Sequence, residues 1–201
     1  MSFASYADLK TRVASWAWRE DLAADVDDVI DLAETRINRD LRVAQMETQD
    51  TLTLTAGVAT LPADYLEYRE VWTEGASGRS LQSGSPAELR RRYNETSGIP
   101  SRFAIIGSEL HVYPRSTGTV GLTYYAKIPA LSDSQTTNWL LASAPDVYLY
   151  ACQLEIAHLS REDERMGTWG QLYDNAIKAL QRQDKGARWA HGSARTPGPT
   201  P

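Results

Sequence analysis

Apolar residues dominate the stretch from Asn138 to Leu159 more than any other part of the chain. Pro145 stands where a helix tolerates proline, in its first turn, and Ser143 and Asp146 have the spacing of a capping box, so we predict that a helix begins there. The rest of the stretch carries one formal charge, Glu155. A helix that is apolar on nearly all sides is a buried helix. At about 13 to 16 residues it is shorter than the roughly 20 residues that cross a bilayer, so the pattern predicts the centre of a protein core.

Three further segments repeat apolar residues with the period of an amphipathic helix. The first runs from Ser5, which forms a capping box with Asp8, to about Trp18. Its apolar positions are Tyr6, Leu9, Val13 and Trp16. The second follows Asp25, and its acidic and basic residues are distributed as the helix dipole favours. Its apolar stripe consists of Val26, Val29, Ile30, Ala33, Ile37 and Leu41, and its polar face of Asp31, Glu34, Arg36, Asn38, Arg39 and Arg42. The third begins at Asp163 after a short link, so it should be the antiparallel neighbour of the central helix.

Between Met46 and Ile128 the apolar residues change to the two-residue alternation of β-strands. Two β-rich runs joined across Gly107-Ser108 predict a hairpin. A capping box that starts at Ser85, with proline at the first helical position, predicts a short helix over residues 87–94. This middle third of the chain is therefore expected to be antiparallel β-sheet with one helix set into it.

Together these segments predict an α+β fold, in which N-terminal helices pack with a C-terminal helical pair and an antiparallel β region is inserted between them. The predicted boundaries are residues 1–48 for the N-terminal helices, 49–130 for the β subdomain, 131–187 for the helical pair and 188–201 for an extended tail. The tail holds three prolines and no acidic residue, so it cannot build a core of its own.

Trp189 of this tail is flanked by Arg188 and Arg195. Tryptophan and arginine dominate the binding energy of protein interfaces, which favours a partner contact at these three residues. A frayed terminus whose tryptophan packs back on its own helix explains the same sequence. Both interpretations remain open at this stage.

Composition narrows the class of protein. With 201 residues, 42% of them hydrophobic and 23% charged, the chain is an ordinary globular protein that can build one sizeable core. A net charge of −5 disfavours long-range attraction to nucleic-acid phosphates. The single cysteine, Cys152, excludes an internal disulfide and fits synthesis in a reducing cytoplasm. The N-terminal segment has no apolar run, so neither a signal peptide nor a membrane anchor is predicted.

No constellation of residues predicts catalysis or a bound cofactor. His111, His158 and His191 stand in no nucleophile or metal motif, and Cys152 lies in the most apolar helix, where a thiol is inert packing. The acidic residues that follow Asp25 are better explained as helix caps and a solvated face than as metal ligands. The sequence thus favours a protein that is not an enzyme.

Three adjacent arginines, Arg90, Arg91 and Arg92, fall on the short helix of the β region. Adjacent residues point in different directions on a helix, so a solvated or subunit-facing surface explains them better than a phosphate site. The competing hypothesis is a regulatory or DNA-packaging module that binds nucleic acid through these arginines and the basic tail. A steep salt dependence of DNA affinity would distinguish it.

Several segments, in this order, resemble the head-to-tail adaptor (connector) proteins of tailed bacteriophages. They are DVIDLAETRINRDLRVAQMET, LPADYLEYREVW, GIPSRFAIIGSELHVYP, LTYYAKIPALSD and TNWLLASAPDVYLYACQLEIA. The resemblance runs from about Leu22 to Trp189 and depends on the order of the segments, because none of them is a catalytic signature.

The resemblance implies a virion structural protein made in the bacterial host cytoplasm and located at the head-to-tail interface. It implies a ring, usually of about twelve copies, attached beneath the portal, through which DNA passes transiently and to which the next tail protein binds. Family members use a helical bundle for ring contacts and often dock on the portal with the C-terminus, which would be Arg188, Trp189 and Arg195 here. The residues expected at contacts between subunits are Arg39, Arg42, Arg90, Arg91 and Arg92. No cofactor or membrane contact is implied.

Overall fold

The computed structural model of the 201-residue chain describes residues 5–17, 25–74, 78–94, 96–160 and 163–189. The fold is α+β, as the sequence predicted. The chain forms two compact units: a helical unit of Met1–Gln45 with Ile128–Pro201, and a β unit of Met46–Lys127.

Along the described residues, two α-helices come first, then seven β-strands with one helix among them, and then three more helices. The α-helices are α1 (Tyr6–Ala17), α2 (Val26–Asp40), α3 (Pro86–Tyr93), α4 (Trp139–Ser143), α5 (Pro145–Ser160) and α6 (Asp163–Trp189). The strands are β1 (Glu47–Leu54), β2 (Val58–Thr60), β3 (Tyr65–Thr73), β4 (Gln82–Ser83), β5 (Arg102–Ile106), β6 (Glu109–Tyr113) and β7 (Gly118–Ala126). A single turn of 3₁₀-helix, Ala44–Met46, precedes β1.

Helix α5 is the centre of the helical unit, and α1, α2, α4 and α6 all pack against it. Its side chains at Tyr148, Ala151 and Cys152 have no solvent exposure, which confirms the prediction of a buried central helix. The stripe predicted for α2 is buried as well, from Val26 to Leu41. Trp16 in α1 differs from the prediction, because 44% of it is exposed.

The start of α5 agrees with the prediction, but its capping contact does not. Ser143 does not cap α5: it ends α4, and its hydroxyl donates to the carbonyl of Trp139 over 2.7 Å. A serine inside a helix often satisfies its hydroxyl with the carbonyl one turn earlier, and this removes it from the predicted box. Asn138 caps α4 instead, since its Oδ1 accepts from the N–H of Leu141 at 2.9 Å. Pro145 is the first residue of α5, as predicted.

The strands of the β unit form a three-stranded sheet, in the order β1-β7-β3, and a four-stranded sheet, in the order β2-β6-β5-β4. One pairing is parallel, β4 with β5, although the sequence predicted an antiparallel region throughout. Helix α3 lies in the connection between these two strands, and such a crossover is what a parallel pair requires. Isolated bridges, Thr55 with Val58 and Trp72 with Ser80, connect the ends of the two sheets.

The two sheets of the β unit enclose one hydrophobic core. Leu52 of β1, Val71 of β3 and Leu122 of β7 meet Phe103 of β5 and Val112 of β6 in the same buried cluster. The inner face of each sheet therefore points toward the other sheet. Consequently the two outer faces point away from this core in opposite directions.

Candidate assembly surfaces

A buried polar network holds the segment that follows β7 against α2. The carboxylate oxygen Oε1 of Glu34 accepts hydrogen bonds from the N–H of Leu131 at 2.9 Å and from the hydroxyl of Tyr148 at 3.1 Å. Asn138 donates from Nδ2 to the same hydroxyl at 2.7 Å and to the carbonyl of Pro129 at 2.8 Å. Each polar group in this network has a partner, as burial demands.

Glu34 differs from the prediction. The sequence placed it on the polar face of α2, but only 8% of it is exposed. Burial raises the pKa of its carboxyl, an effect that the hydrogen bonds from Leu131 and Tyr148 oppose. Burial and the charge of Glu34 raise the pKa of Tyr148 in turn. The two side chains connect α2 with α5 through a hydrogen bond that water does not reach.

Arg36 is the partner of Glu155, the one formal charge between Val147 and Leu159 of the central helix. Its Nε lies 2.6 Å from Oε1 of Glu155, and the two side chains are 33% and 12% exposed. The hydrogen bond to Glu155 raises the pKa of the Arg36 guanidinium. Glu155 is therefore a partner of α2, which its position in an apolar run did not reveal.

The end of α2 and the residues just after it form hydrogen bonds with α6 from its middle to its C-terminal part. The hydroxyl of Tyr173 donates to Oδ2 of Asp40 at 3.0 Å, and Nε2 of Gln181 donates to the carbonyl of Asp40 at 3.0 Å. One turn of helix further, Oδ1 of Asp184 accepts from the N–H of Ala44 at 2.8 Å. Polar contacts with the end of α2 therefore extend along α6 as far as Asp184.

Helix α6 ends at Trp189, so two of the three predicted portal residues are helical and not part of an extended tail. The Nε of Arg188 lies 2.8 Å from Oδ2 of Asp184, and the Arg188 side chain is 23% exposed. Trp189 is the last residue of the helix, and Arg195 lies outside the described residues. The Arg188 side chain is therefore held by the carboxylate of Asp184, which also accepts the hydrogen bond from the N–H of Ala44.

Arg39 and Arg42, predicted at a contact between subunits, have different surroundings. Arg39 is exposed on the last turn of α2. The guanidinium of Arg42 donates to the carbonyls of Asn38 at 2.8 Å and Leu41 at 2.6 Å, at the end of this helix. A cation at these carbonyls interacts favourably with the helix dipole. Arg42 thus caps the C-terminal end of its own helix, α2. A contact of Arg39 or Arg42 with another subunit remains a prediction.

Arg90, Arg91 and Arg92 are all exposed on α3. The guanidinium of Arg92 lies 5.6 Å from the centre of the Tyr93 ring. Within the described residues, neither Arg90 nor Arg91 forms an ion pair with an acidic side chain. The structure therefore places a cationic helix face on the surface of the β unit, where the sequence predicted a solvated or subunit-facing one.

An aromatic groove on the helical unit was missed by the sequence analysis. The rings of Tyr150 and Trp169 are 6.2 Å apart between centroids, and those of Trp16 and Trp169 are 6.1 Å apart. Arg165 and Thr168 line the groove beside the two tryptophans. Trp16 and Trp169, which line the groove, and Tyr150, which stacks on Trp169, come from α1, α6 and α5, so no local pattern in the sequence connects them.

The thiol of Cys152 is fully buried, and burial raises its pKa. A thiol in such surroundings is a poor nucleophile. Within the described residues, no group of three or more His, Cys, Asp or Glu side chains is arranged to hold a metal ion. The helices that the structure describes include none long and apolar enough to cross a membrane.

These features define an α+β protein whose helical and β units each carry exposed charged or aromatic surface. The model of the SU10 adaptor protein family matches residues 4–197, nearly the whole chain. The chain therefore belongs to the SU10 adaptor proteins, a phage head-to-tail adaptor family, as its sequence resemblance indicated. No curated protein sequence matches it significantly. It is a phage structural adaptor protein.

Proposed function

We propose that this adaptor assembles as a ring of identical copies, about twelve as in the family, beneath the portal. The ring extends the DNA channel and gives the tail a platform for attachment. The observation that carries this proposal is the match to an adaptor family over residues 4–197. A head-to-tail ring needs two different contact surfaces on each copy, and a chain with two separate compact units has room for both.

The charge of the chain suits passage of DNA. A channel rich in basic residues would bind phosphates strongly and release counterions, whereas a chain of net charge −5 has little tendency to do so. The adaptor then guides DNA without holding it. On this proposal the protein is made in the host cytoplasm and ends in the virion, at the junction of head and tail.

Cryo-electron microscopy of virions from the source phage tests the location and the ring together. Density for this chain below the portal, repeated around the axis, is the expected result. If the virion lacks the protein, or the density lies elsewhere, the adaptor ring is the wrong function.

The portal contact at Arg188, Trp189 and Arg195 is a separate part of the proposal. Two truncations divide it, one that removes residues 190–201 and one that removes residues 186–201. Both should bind portal less than the full chain in a pull-down, and the longer truncation should lose more because it also removes Arg188 and Trp189. Equal binding by all three chains would contradict this placement and leave the ring untouched.

The competing function is nucleic-acid binding through Arg90 to Arg92 and the tail, and the observation that favours it is the exposure of these arginines. It predicts that DNA affinity falls steeply as salt increases, by an amount that depends on the number of phosphates contacted. The adaptor function predicts weak binding at every salt concentration. A fluorescence-anisotropy titration of labelled duplex DNA at several salt concentrations distinguishes the two.

A further inference from the structure

The outer face of the three-stranded sheet is acidic. Val120 and Leu122 of β7 point into the core, so their neighbours Gly121 and Thr123 face outward. Glu70 of β3 is opposite Thr123 in the register and therefore lies on the outer face, where it is exposed. Glu67 is opposite Tyr125 on the same face and is exposed as well.

Glu74 extends this acidic surface beyond the end of β3. Its Oε1 accepts a hydrogen bond from the Thr51 hydroxyl at 2.7 Å, and Thr51 is opposite Gly121 in the register. The one cation of β3, Arg69, lies 3.2 Å from Glu47 of β1. Glu67, Glu70 and Glu74 thus exceed the basic residues on this face, which we name the acidic sheet face.

The opposite side of the β unit carries the cationic helix. Leu89 of α3 is buried with Ala104 of β5 and Tyr113 of β6, and Tyr93 packs against the same cluster. Phe103 and Val112, their neighbours in the strands, point into the core instead. Alternation along the strands therefore places α3 on the outer face of the four-stranded sheet.

Arg91 points away from that sheet. It lies two residues after Leu89 and two before Tyr93, and residues two apart on a helix are on opposite sides. Arg90 is exposed next to it. Glu88 is the single acidic residue of α3, so the outward surface keeps an excess of positive charge. We name this surface the basic helix face.

The basic helix face and the acidic sheet face lie on the two sides of one core. We propose that the basic helix face of one copy contacts the acidic sheet face of the next copy. This inference rests on the proposed ring and assigns it a contact, because closed head-to-tail assembly requires two different, complementary surfaces on every copy.

Charge also disfavours contacts between two identical faces. Two basic helix faces repel each other, and so do two acidic sheet faces, so a two-fold symmetric dimer through either face is disfavoured. Only the heterologous contact brings unlike charges together. Complementary charges act more on orientation and on the rate of association than on affinity. They therefore suit a ring that must add copies in one direction.

The test uses two variants that reverse one face each. The acidic-helix variant carries Arg90→Glu and Arg91→Glu, and the basic-sheet variant carries Glu70→Arg and Glu74→Arg. A source phage that lacks this gene is complemented with plasmid copies, and tailed particles are counted by electron microscopy. Each variant alone places like charges at every contact, so we expect tailed particles to fall on the order of tenfold or more.

Co-expression of the two variants is the decisive arm. The acidic helix of one variant matches the basic sheet of the other, and the unchanged faces match as well, so an alternating ring is complementary at every contact. We expect tailed particles to return to within about threefold of the wild-type number. Glu88→Gln, which changes the same helix without reversing its charge, should leave the number unchanged.

Melting curves of the purified variants, followed by circular dichroism, show whether each one folds. If folded single variants give wild-type numbers of tailed particles, or co-expression restores nothing, the proposed contact is wrong. If the phage without the gene still makes tailed particles, the adaptor function itself is wrong. The two failures are therefore distinct.

Discussion

The hydroxyl of Tyr148 lies 3.1 Å from Oε1 of Glu34, deep inside the helical unit, and joins helices that are 114 residues apart in sequence. A hydrogen bond to a carboxylate is stronger than one between neutral groups, and a buried group that loses its partner is costly. This contact and the one from Leu131 hold the chain that returns from the β unit.

Glu34→Ala should therefore destabilise the protein by roughly 2 to 5 kcal/mol, because it leaves a buried hydroxyl and a buried N–H without their acceptor. Glu34→Gln keeps one oxygen acceptor and should cost only about 1 kcal/mol. Urea unfolding followed by circular dichroism measures both. Equal losses for the two variants would show that the hydrogen bonds of Glu34 do not hold this region.

Leu149→Asp should prevent folding. Leu149 is 4% exposed in α5, and an unpaired buried carboxylate costs several kcal/mol against a total stability of roughly 5 to 15 kcal/mol. Leu159→Asp makes the same change on the same helix, where the side chain is 57% exposed, and should be tolerated. Circular-dichroism melts of the two proteins compare them directly. A cooperative, wild-type melt for the Leu149 variant would contradict the buried position of α5.

Gly121→Ala should destabilise the β unit. A Cβ at this position would overlap the indole ring of Trp72, which lies across the glycine on the outer face of the sheet. Forcing the ring aside costs roughly 1 to 3 kcal/mol. Gly170→Ala is the matched control, since its Cβ would meet no neighbour within 4 Å and alanine favours helix α6 by about 0.5 to 1 kcal/mol. In chemical denaturation, the midpoint denaturant concentration should therefore decrease for Gly121→Ala and increase for Gly170→Ala.

Tyr124 should make stability fall at alkaline pH. Burial, and then the hydrogen bond of its hydroxyl to Asp64 at 3.0 Å, raise the pKa of Tyr124 from 10.0 to about 12. Between these two values the folded protein holds a proton that the unfolded chain has released, so stability decreases as pH rises through this window. Below pH 10 the contribution of this group is fully present.

Tyr124→Phe removes this titration. The free energy of unfolding of the variant, measured by urea at several pH values from about 9 to 12, should change less with pH than that of the wild type. The rest of the chain titrates equally in both proteins. The same slope in both proteins would show that the Tyr124 hydroxyl has an ordinary pKa.

Much of the local structure was predictable because it depends on neighbours in sequence. The start of α5 at Pro145 follows from the conformational restriction of proline, and the hairpin across Gly107-Ser108 from turn residues between two β-rich runs. The capping contacts were harder to predict. Ser143 has alternative partners within one turn, and only the complete geometry decides among them.

The candidate surfaces divide in the same way. The exposure of Arg90 and Arg91 follows from their sequence, because three adjacent arginines cannot all be buried on one helix. The glutamates of the acidic sheet face are visible in the sequence LEYREVWTE, where charged and large residues occur in one strand. The aromatic groove left none, because Trp16 and Trp169 meet only after 153 residues of chain have folded.

The sequence by itself determined the class of fold, the buried central helix and the adaptor family, since apolar period and the order of segments are properties of the chain alone. Only the tertiary structure decided that Glu34 is buried, that Glu155 has Arg36 as its partner and that the charged faces of the β unit lie on opposite sides of one core. The physical reason is that burial and charge complementarity depend on what lies across a packed interface. Residues far apart in sequence supply that surrounding, and periodicity contains no information about them.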